Sequence, residues 1–547
     1  MTFIEWFVFI LIIQVIHFLG TWKLYVKAGR KAWEAAIPVY NAIVLMKIIS
    51  RPKWWVILLF IPIINLLMFP VIWVETIRSF GKNTRLDTFL VLITFGFYIY
   101  YINYMADVSY IEDRSLNPRT SAGEWVSSIV FAIIAATMVH TYFMQPYTIP
   151  SSSLEKSLLI GDFLFVSKFH YGARVPMTTV AAPMVHDTIP AIPVPFTKIK
   201  LTKKFKSYLF SDDVTKKESS LLNKLQLPYL RLPGFQKIKR NSIVVFNQPA
   251  DTLLDMNDFN PERTYYKPID KKTNLVKRCV AIAGDSLQII DGYIYINGKR
   301  TELPDRAKPQ YNFLVDTEGQ KISQTSIKRY GAREGYSKDR AGNFYVIDYK
   351  GVKGYHLTLT DEEAKMVAKN SVVKSVKKDI SPKGISGDVF PHVPSLGWNT
   401  DNFGPIYIPK KGVTVKLDKE SFPFYKRIIR EYEHNNLIVN GDEFLINGKI
   451  ADSYTFKQDY YWMMGDNRQN SLDARAWGYV PFDHVVGKPV LIWLSWEANG
   501  KGINKIRWDR MFTTVGGSGE PVSYFKYFLI LLAGWFVFDF IRKRRKA

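Results

Sequence analysis

Three short segments of the chain contain the residues best suited to catalysis. The first is Ile149-Pro-Ser-Ser-Ser-Leu154, the second is Val276-Lys-Arg-Cys-Val280, and the third runs through residues 464–481. A serine becomes a nucleophile only when a base takes its proton, and a lysine can be that base if burial lowers its pKa from about 10.4 towards the working pH. Lys277 has apolar neighbours on a predicted strand. A lysine in a strand is more often an exposed or paired charge, so the spacing alone leaves both interpretations open.

Other kinds of catalytic site lack their core residues in this sequence. His170 is close to Ser153 in the chain, but no Gly-x-Ser-x-Gly turn surrounds that serine, which argues against a histidine triad. The sequence contains no HExxH motif and no Gly-Lys pair followed by Ser or Thr. The zinc-protease and P-loop interpretations therefore find no support.

The composition indicates a membrane anchor joined to a soluble domain. The 547 residues are too many for one core and, being 47% hydrophobic, are not a disordered chain. A mean hydropathy of -0.06 excludes a protein embedded in the membrane throughout. The net charge of +24 favours anionic partners, either lipid headgroups or nucleic acid, and much of it flanks apolar segments. The single cysteine, Cys279, can form neither an intramolecular disulfide nor a CxxC site.

Five apolar stretches are long enough for membrane-spanning helices, since about 20 apolar residues are needed to cross the bilayer. They are residues 3–22, 54–77, 88–105, 125–144 and 524–541. The shorter stretch 35–49 contains Pro38 and is predicted to be interfacial or re-entrant. Lys and Arg crowd the loop after the first stretch and the tail after the last, so both are expected in the cytoplasm. This places residues 145–522 outside it.

The residues after 144 have the short β-branched and aromatic runs of a β-rich domain. Residues 241–246 and 275–282 are predicted to be buried strands. Asp291-Gly292 predicts a type I′ hairpin, and a similar hairpin is expected over 437–449 with Asn440-Gly441 at its turn. Two insertions are predicted, 173–236 and 304–394, the second with a helix around 361–369.

Taken in order, the three segments resemble the sequence boxes of the bacterial type I signal peptidases. These membrane-bound serine/lysine proteases remove signal peptides from exported proteins. The matching patterns are Pro-Ser-x-Ser beside a membrane span, Lys-Arg-x-Val followed by Gly-Asp, and Gly-Asp-Asn-Arg-x-Asn-Ser-x-Asp-x-Arg-x-Trp-Gly-x-Val-Pro. The third pattern is the most specific. The resemblance covers about 147–174, 240–296 and 436–488.

The resemblance implies that Ser153 is the nucleophile and Lys277 the general base. It also implies that Ser151 donates its hydroxyl to the oxyanion hole beside the Ser153 amide, and that Ser471 hydrogen-bonds and orients the Lys277 amine. This would be a triad without histidine, with donors directed at the tetrahedral oxyanion.

Two further sets of residues follow from the same resemblance. Four charged side chains are expected to hold the Ser471 loop: Asp466, Arg468, Asp473 and Arg475. Four others are expected to line shallow pockets for the small residues of an Ala-x-Ala substrate: Tyr147, Ile149, Leu158 and Val276.

The chain departs from the family pattern at a few positions. Leu154 stands where Met is usual, which conserves volume. Gln469 and Ala474 replace an Asp and a Ser, so the support around the site differs in part. Ala281 and Ala283 stand where Gly and Pro are frequent, which affects the turn after Lys277.

Two alternatives belong to other classes of protein. Self-cleaving repressors use the same serine/lysine fold, but they would not need five membrane spans. An inactive scaffold could bind exported precursors without cutting them, although the presence of all four expected catalytic side chains argues against it.

The predicted architecture is a multi-pass α-helical membrane anchor with a mainly-β extracytoplasmic catalytic domain, a signal-peptidase-like β fold with α/β insertions. The predicted domains are a three-span membrane region (1–122), a fourth span (123–144), the protease domain (145–522) and a last span with a basic tail (523–547). The resemblance implies a bacterial inner-membrane location with the catalytic domain on the periplasmic side. The expected partners are signal-peptide-bearing precursors, the lipid bilayer and, as a further candidate, the export machinery. Neither nucleic acid, nor a metal, nor an organic cofactor is expected.

Overall fold

The computed structural model describes residues 3–118, 120–179, 181–186, 188–189, 205–206, 225–251, 267–497, 500 and 502–545. The chain divides into two compact units. A helical unit comprises Met1–Phe143, Arg174–Leu232 and Thr252–Lys271, and a β-rich unit comprises Met144–Ala173, Pro233–Asp251 and Lys272–Ala547.

The helical unit has its own apolar core. Its described helices are Phe3–Lys27, Tyr40–Ile48, Trp55–Leu58, Ile64–Ser79, Arg85–Ile93, Tyr98–Tyr104 and Ser121–Met138. Leu24, Tyr25, Val44 and Ile102 pack together in that core. Within the described residues, two helices are long and apolar enough to cross a membrane, Ile4–Lys27 and Ser121–Phe143. They coincide with the first and fourth predicted spans.

The second predicted span, 54–77, differs from the prediction because it is not one continuous helix. Its residues form the short helix Trp55–Leu58 and the 16-residue helix Ile64–Ser79. Pro62 between them has no N–H to donate and disfavours a helical conformation in the residue before it. Ile63 then takes a positive φ of 70°. The longer helix measures only about 24 Å, which is less than the hydrocarbon thickness of a bilayer.

The third predicted span, 88–105, is broken as well. Helices Arg85–Ile93 and Tyr98–Tyr104 meet at an angle of 116°, as in a broken span or a re-entrant loop. Gly96 at the break has a φ of 86°, and a Cβ there would lie 2.8 Å from the ring of Trp73. The bend therefore depends on glycine at this position.

The fifth predicted span, 524–541, forms the 20-residue helix Phe525–Arg544. This helix is less apolar than the two helices described above, because Lys526, Asp539 and Arg542 interrupt its apolar sequence. The multi-pass arrangement stays a prediction.

The second unit is mainly β, as predicted. The described strands of the whole chain are β1 Met144–Thr148, β2 Asp162–Ser167, β3 Thr188–Ile189, β4 Phe205–Lys206, β5 Ile243–Asn247, β6 Asn274–Ala281, β7 Ser286–Ile290, β8 Tyr293–Ile296, β9 Lys299–Arg300, β10 Tyr311–Asp316, β11 Ile347–Tyr349, β12 Val352–Leu359, β13 Ser375–Lys378, β14 Phe403–Tyr407, β15 Thr414–Lys416, β16 Leu437–Asn440, β17 Glu443–Ile446, β18 Lys449–Ile450, β19 Ser453–Thr455, β20 Tyr460–Met464, β21 Val480–Pro481, β22 Val485–Ser495 and β23 Thr513–Thr514. The main sheet has the order β1-β2-β22-β5-β6-β20-β21, with β23 beside β22. The predicted strands 241–246 and 275–282 correspond to β5 and β6, which lie side by side.

Both predicted hairpins form. Ile290 pairs with Tyr293 across Asp291-Gly292, and both turn residues have positive φ, as a type I′ turn requires. In the second hairpin Asn440 pairs with Glu443, so the turn is Gly441-Asp442, one residue later than predicted. Asn440 continues the strand instead of beginning the turn.

The insertion over 304–394 contains a small α/β layer that we call the inserted layer, residues 311–378. Its sheet has the order β11-β12-β10-β13, and helices Gln324–Arg329 and Asp361–Val367 accompany it. Thr360 and Glu363 form a capping box at the predicted second helix. Much of the other predicted insertion, 173–236, lies outside the described residues.

Candidate active site

Ser153 lies in a tight turn directly after an edge strand of the main sheet. The turn is the 3-10 helix Ser152–Leu154, which follows β1. Ser153 is 8% exposed, whereas Ser151 is exposed and has an extended backbone with φ -131°. The Ser153 carbonyl accepts a hydrogen bond of 3.0 Å from the backbone N–H of Asn467. The first and third sequence segments therefore meet at this turn.

Lys277 lies on β6, between β5 and β20 in the sheet. Its backbone pairs with Val244, and the next residue pairs with Met464 at the end of β20. The side chain is 4% exposed, and its Nζ lies 2.6 Å from Ser153 Oγ, within hydrogen-bond distance. The structure thus brings together the two residues expected to form the dyad.

The surroundings of Lys277 make its amine easier to deprotonate. Burial lowers the pKa of the Lys277 ammonium from 10.5 to about 8. The carboxylate of Asp473 opposes this shift in pKa, the guanidinium of Arg475 adds to it, and Asp466 opposes it again. A sizeable fraction of the amine is therefore unprotonated at mildly alkaline pH.

Gly465 permits the close approach of three chain segments. A Cβ on this residue would lie 2.3 Å from Ser471 Oγ and 2.6 Å from the Ser153 carbonyl oxygen. Any side chain would push one of them away. No role was predicted for Gly465, although its position at the start of the third segment indicated that it could have one.

Ser471 reaches the site but does not make the expected bond. Within the described part of the chain, its Oγ is buried and has no hydrogen-bond partner. The hydrogen bond to the Lys277 amine that the resemblance implies is therefore not formed. The contact that does place Ser471 is its packing against Gly465.

Asp466 joins the third segment to the strand of Lys277. Its carboxylate accepts bonds of 2.8 and 2.6 Å from the Arg278 guanidinium and one of 2.5 Å from Ser157 Oγ. Although burial opposes ionisation, Arg278 holds the pKa of Asp466 below its ordinary value. No role was predicted for Arg278, because the alternation of residues along a strand does not indicate that an arginine next to a buried lysine is itself buried.

Asp473 and Arg475 brace the Ser471 loop from its far end. Asp473 accepts two 2.9 Å bonds from the Arg475 guanidinium and one of 3.0 Å from the Gly465 N–H. It also caps the short helix Ala474–Trp477. Arg475 also donates to the Arg468 carbonyl at 2.5 Å. With Asp466, this places all four of the expected support residues around the site. The buried Arg468 has Nε and Nη1 without a hydrogen-bond partner in the described regions.

The four predicted pocket residues share one apolar cluster. Ile149 and Leu158 are 3% and 1% exposed and pack with Leu154, while Tyr147 and Val276 pack against the same cluster and are partly exposed. Only the last two retain much surface for a ligand. Among the described residues, no group of three or more His, Cys, Asp or Glu side chains could hold a metal ion.

Comparisons with known proteins identify the family of this chain. A family model described as "Signal peptidase, peptidase S26" matches residues 122–351 and 412–496, more than half of the chain and all three candidate segments. A "Family of unknown function (DUF5684)" matches residues 33–113. A protein of Buchnera aphidicola subsp. Schizaphis graminum named "Signal peptidase I" is 24% identical over 383 residues, covering 68% of this chain and 75% of its own. Proteins of the same name from Helicobacter pylori and Rickettsia felis are 23% and 22% identical, covering 72% and 74% of this chain and 91% and 98% of their own.

Proposed function

Because the chain belongs to the signal peptidase family, peptidase S26, and is therefore a peptidase, we propose that it cleaves N-terminal signal peptides from exported precursor proteins. The relatives named signal peptidase I support this activity. The single observation that carries the proposed chemistry is the 2.6 Å contact between Lys277 Nζ and Ser153 Oγ in a buried setting.

In the proposed mechanism, the neutral Lys277 amine takes the Ser153 proton while Ser153 Oγ attacks the carbonyl carbon of the scissile peptide bond. The Ser151 hydroxyl and the Ser153 amide stabilise the resulting oxyanion. The Lys277 ammonium then protonates the leaving amine, and an ester to Ser153 remains. A water molecule, deprotonated by Lys277, hydrolyses this ester and restores the free serine.

We propose that the substrate has small residues before the cleavage point, as in Ala-x-Ala. Tyr147 and Val276 keep exposed surface and pack against the apolar cluster that contains Ile149 and Leu158, and an apolar surface of this kind favours small apolar side chains over charged ones. The backbone of the substrate would be bound as an added strand beside the site.

We also propose that the β-rich unit up to residue 522 lies outside the cytoplasm, that its last helix crosses the membrane, and that the bilayer is a partner. Helix Phe525–Arg544 ends in Arg542, Lys543 and Arg544, which favours a cytoplasmic end. Tyr336 is 74% exposed in the β-rich unit and Lys543 is 78% exposed in the last helix. Tyr336→Cys should react with a membrane-impermeant maleimide in intact cells, and Lys543→Cys only after permeabilisation; the reverse pattern would overturn this orientation.

The activity is tested with the detergent-solubilised protein and a purified precursor that carries an Ala-x-Ala site. Wild type should give one cut after the second Ala, read by mass spectrometry of the product termini. Ser153→Ala and Lys277→Met should abolish cleavage while retaining the wild-type unfolding temperature. Substantial cleavage by either variant would exclude the dyad, and a folded wild type that binds precursor without cutting it would support the scaffold instead.

A further inference from the structure

The inserted layer contacts the turn that carries Ser153. Arg333 Nη1 lies 2.9 Å from Glu155 Oε1, and Lys156 pairs with Glu363 of the layer. Gln310, just before the layer, exchanges backbone hydrogen bonds with Asp466 and Arg468 at 2.8 and 3.0 Å. The layer is therefore attached to both the first and the third sequence segments.

We propose that Glu334 of this layer is a positioning residue for Ser153, acting through Asn467 and Asn470; this inference rests on the proposed function. Glu334 Oε2 accepts hydrogen bonds from Asn467 Nδ2 at 2.7 Å and from Asn470 Nδ2 at 2.9 Å. Glu334 lies outside the three sequence segments, so no sequence pattern assigned it a role.

The same two amide nitrogens also donate into the serine turn. Asn467 Nδ2 donates to the Ser152 carbonyl at 3.3 Å, and Asn470 Nδ2 donates to Ser152 Oγ at 3.0 Å. Each NH2 group has two hydrogens, and here each uses one for Glu334 and one for Ser152. The backbone N–H of Asn467 holds the Ser153 carbonyl itself.

The carboxylate determines which way both amides face. An ionised carboxylate can only accept hydrogen bonds, so it selects the NH2 side of each amide and not the C=O side. If the Asn467 amide were rotated by half a turn, its oxygen would face the Ser152 carbonyl and repel it. Glu334 therefore keeps two donors directed at the residue next to the nucleophile.

Glu334 can hold the two amides in place because contacts with β12 fix its own backbone. Its carbonyl accepts a 2.9 Å bond from the Thr358 N–H on β12. The next residue, Gly335, approaches β12 so closely that a Cβ would lie 2.1 Å from the His356 carbonyl oxygen. The carboxylate is thus presented from a backbone that is bridged to β12.

The test uses the full-length protein in detergent and compares Glu334→Ala with Glu318→Ala. Glu318 is a matched control because it lies in the same layer, is 62% exposed and pairs with Lys374 at 3.6 Å. We expect Glu334→Ala, which removes the oxygen that accepts from both asparagines, to lower kcat by roughly 10- to 100-fold, as small misplacements of reacting groups do, with little change in KM. The pH midpoint of kcat should not move, because Asp473, Arg475 and Asp466, and not Glu334, are the charges that act on Lys277.

A double-mutant cycle with Asn470→Ala gives the second readout. Asn470 is exposed, so its replacement leaves the core intact. If Glu334 acts through this amide, Glu334→Ala should reduce kcat less in the Asn470→Ala background than in wild type, because only the contact with Asn467 is then left to lose. Wild-type kcat in Glu334→Ala, or a full multiplication of the two losses, would overturn the inference. Failure of wild type to cleave, or cleavage by Ser153→Ala, would instead refute the proposed function.

Discussion

Arg278 and Asp466 form a buried, two-pronged ion pair immediately beside Lys277, with side chains that are 2% and 1% exposed. The pair joins the lysine strand to the loop that leads to Ser471. The position of the base and the position of this loop are therefore mechanically linked.

Asp466→Ala should destabilise the protein strongly, because it leaves the Arg278 charge buried without its partner. Loss of one member of a buried pair costs about 3–5 kcal/mol in the free energy of unfolding. Chemical denaturation in detergent, followed by tryptophan fluorescence, measures this change. Asp442→Ala is the control, since its pair with Lys419 is 72% and 70% exposed and should contribute less than about 1 kcal/mol. Equal effects of the two substitutions would contradict the prediction.

The catalytic rate should rise with pH through a midpoint near the pKa of Lys277, about 8. Below this pH the lysine is an ammonium and cannot accept the Ser153 proton, so kcat/KM should fall about tenfold per pH unit. Above it the rate should level off. A pH series of kcat/KM with an uncharged peptide substrate measures the midpoint. A midpoint near 6.5 would indicate a histidine base, and one near 10.4 a solvent-exposed lysine.

Gly465→Ala should reduce kcat by roughly 100-fold, because the new methyl group displaces the Ser153 carbonyl or the Ser471 side chain. Overpacking of this kind also costs about 1–3 kcal/mol in unfolding free energy. Precursor cleavage and thermal unfolding are measured on the same preparation. Gly534→Ala, where no described heavy atom lies within 4 Å of the new Cβ, should leave cleavage unchanged and should not lower the unfolding temperature. Wild-type activity in Gly465→Ala would show that the loop can move without penalty.

Ser471→Ala tests whether Ser471 orients the Lys277 amine or only supports the structure around it. Its Oγ has no hydrogen-bond partner among the described residues, so removal of the hydroxyl should change the free energy of unfolding by less than about 1 kcal/mol. If Ser471 orients the lysine during the reaction, kcat should still fall by about 10- to 100-fold, and Ser471→Thr should retain more activity than Ser471→Ala. Unchanged kcat in Ser471→Ala would remove Ser471 from the mechanism.

The features predictable from the sequence depend on near neighbours in the chain. The β-branched and aromatic runs around Val244 and Val280 predict β5 and β6, and Asp291-Gly292 predicts its hairpin, because these patterns act over a few residues. The pairing of Ser153 with Lys277, which are 124 residues apart, has a different origin, since only the resemblance to the family implies it.

The other features depend on contacts between residues far apart in the chain, or on single residues whose effect disappears when hydropathy is averaged over a long window. An apolar window of about 20 residues does not register that Pro62 or Gly96 breaks the helix inside it. Arg278 and Glu334 owe their roles to Asp466, Asn467 and Asn470, which are far away in the chain. No local periodicity could identify those partners.

Glu334 and Ser152 together accept both hydrogens of the Asn467 and Asn470 side-chain amides. The site is therefore sensitive to chemical ageing of these asparagines. Hydrolysis of the exposed Asn470 side chain to a carboxylate would remove two donated hydrogen bonds at once. It would also place a second negative charge within hydrogen-bond distance of Glu334, where like charges repel. A stored preparation could thus lose its activity through a change of one side-chain atom while the fold of the protein stays intact.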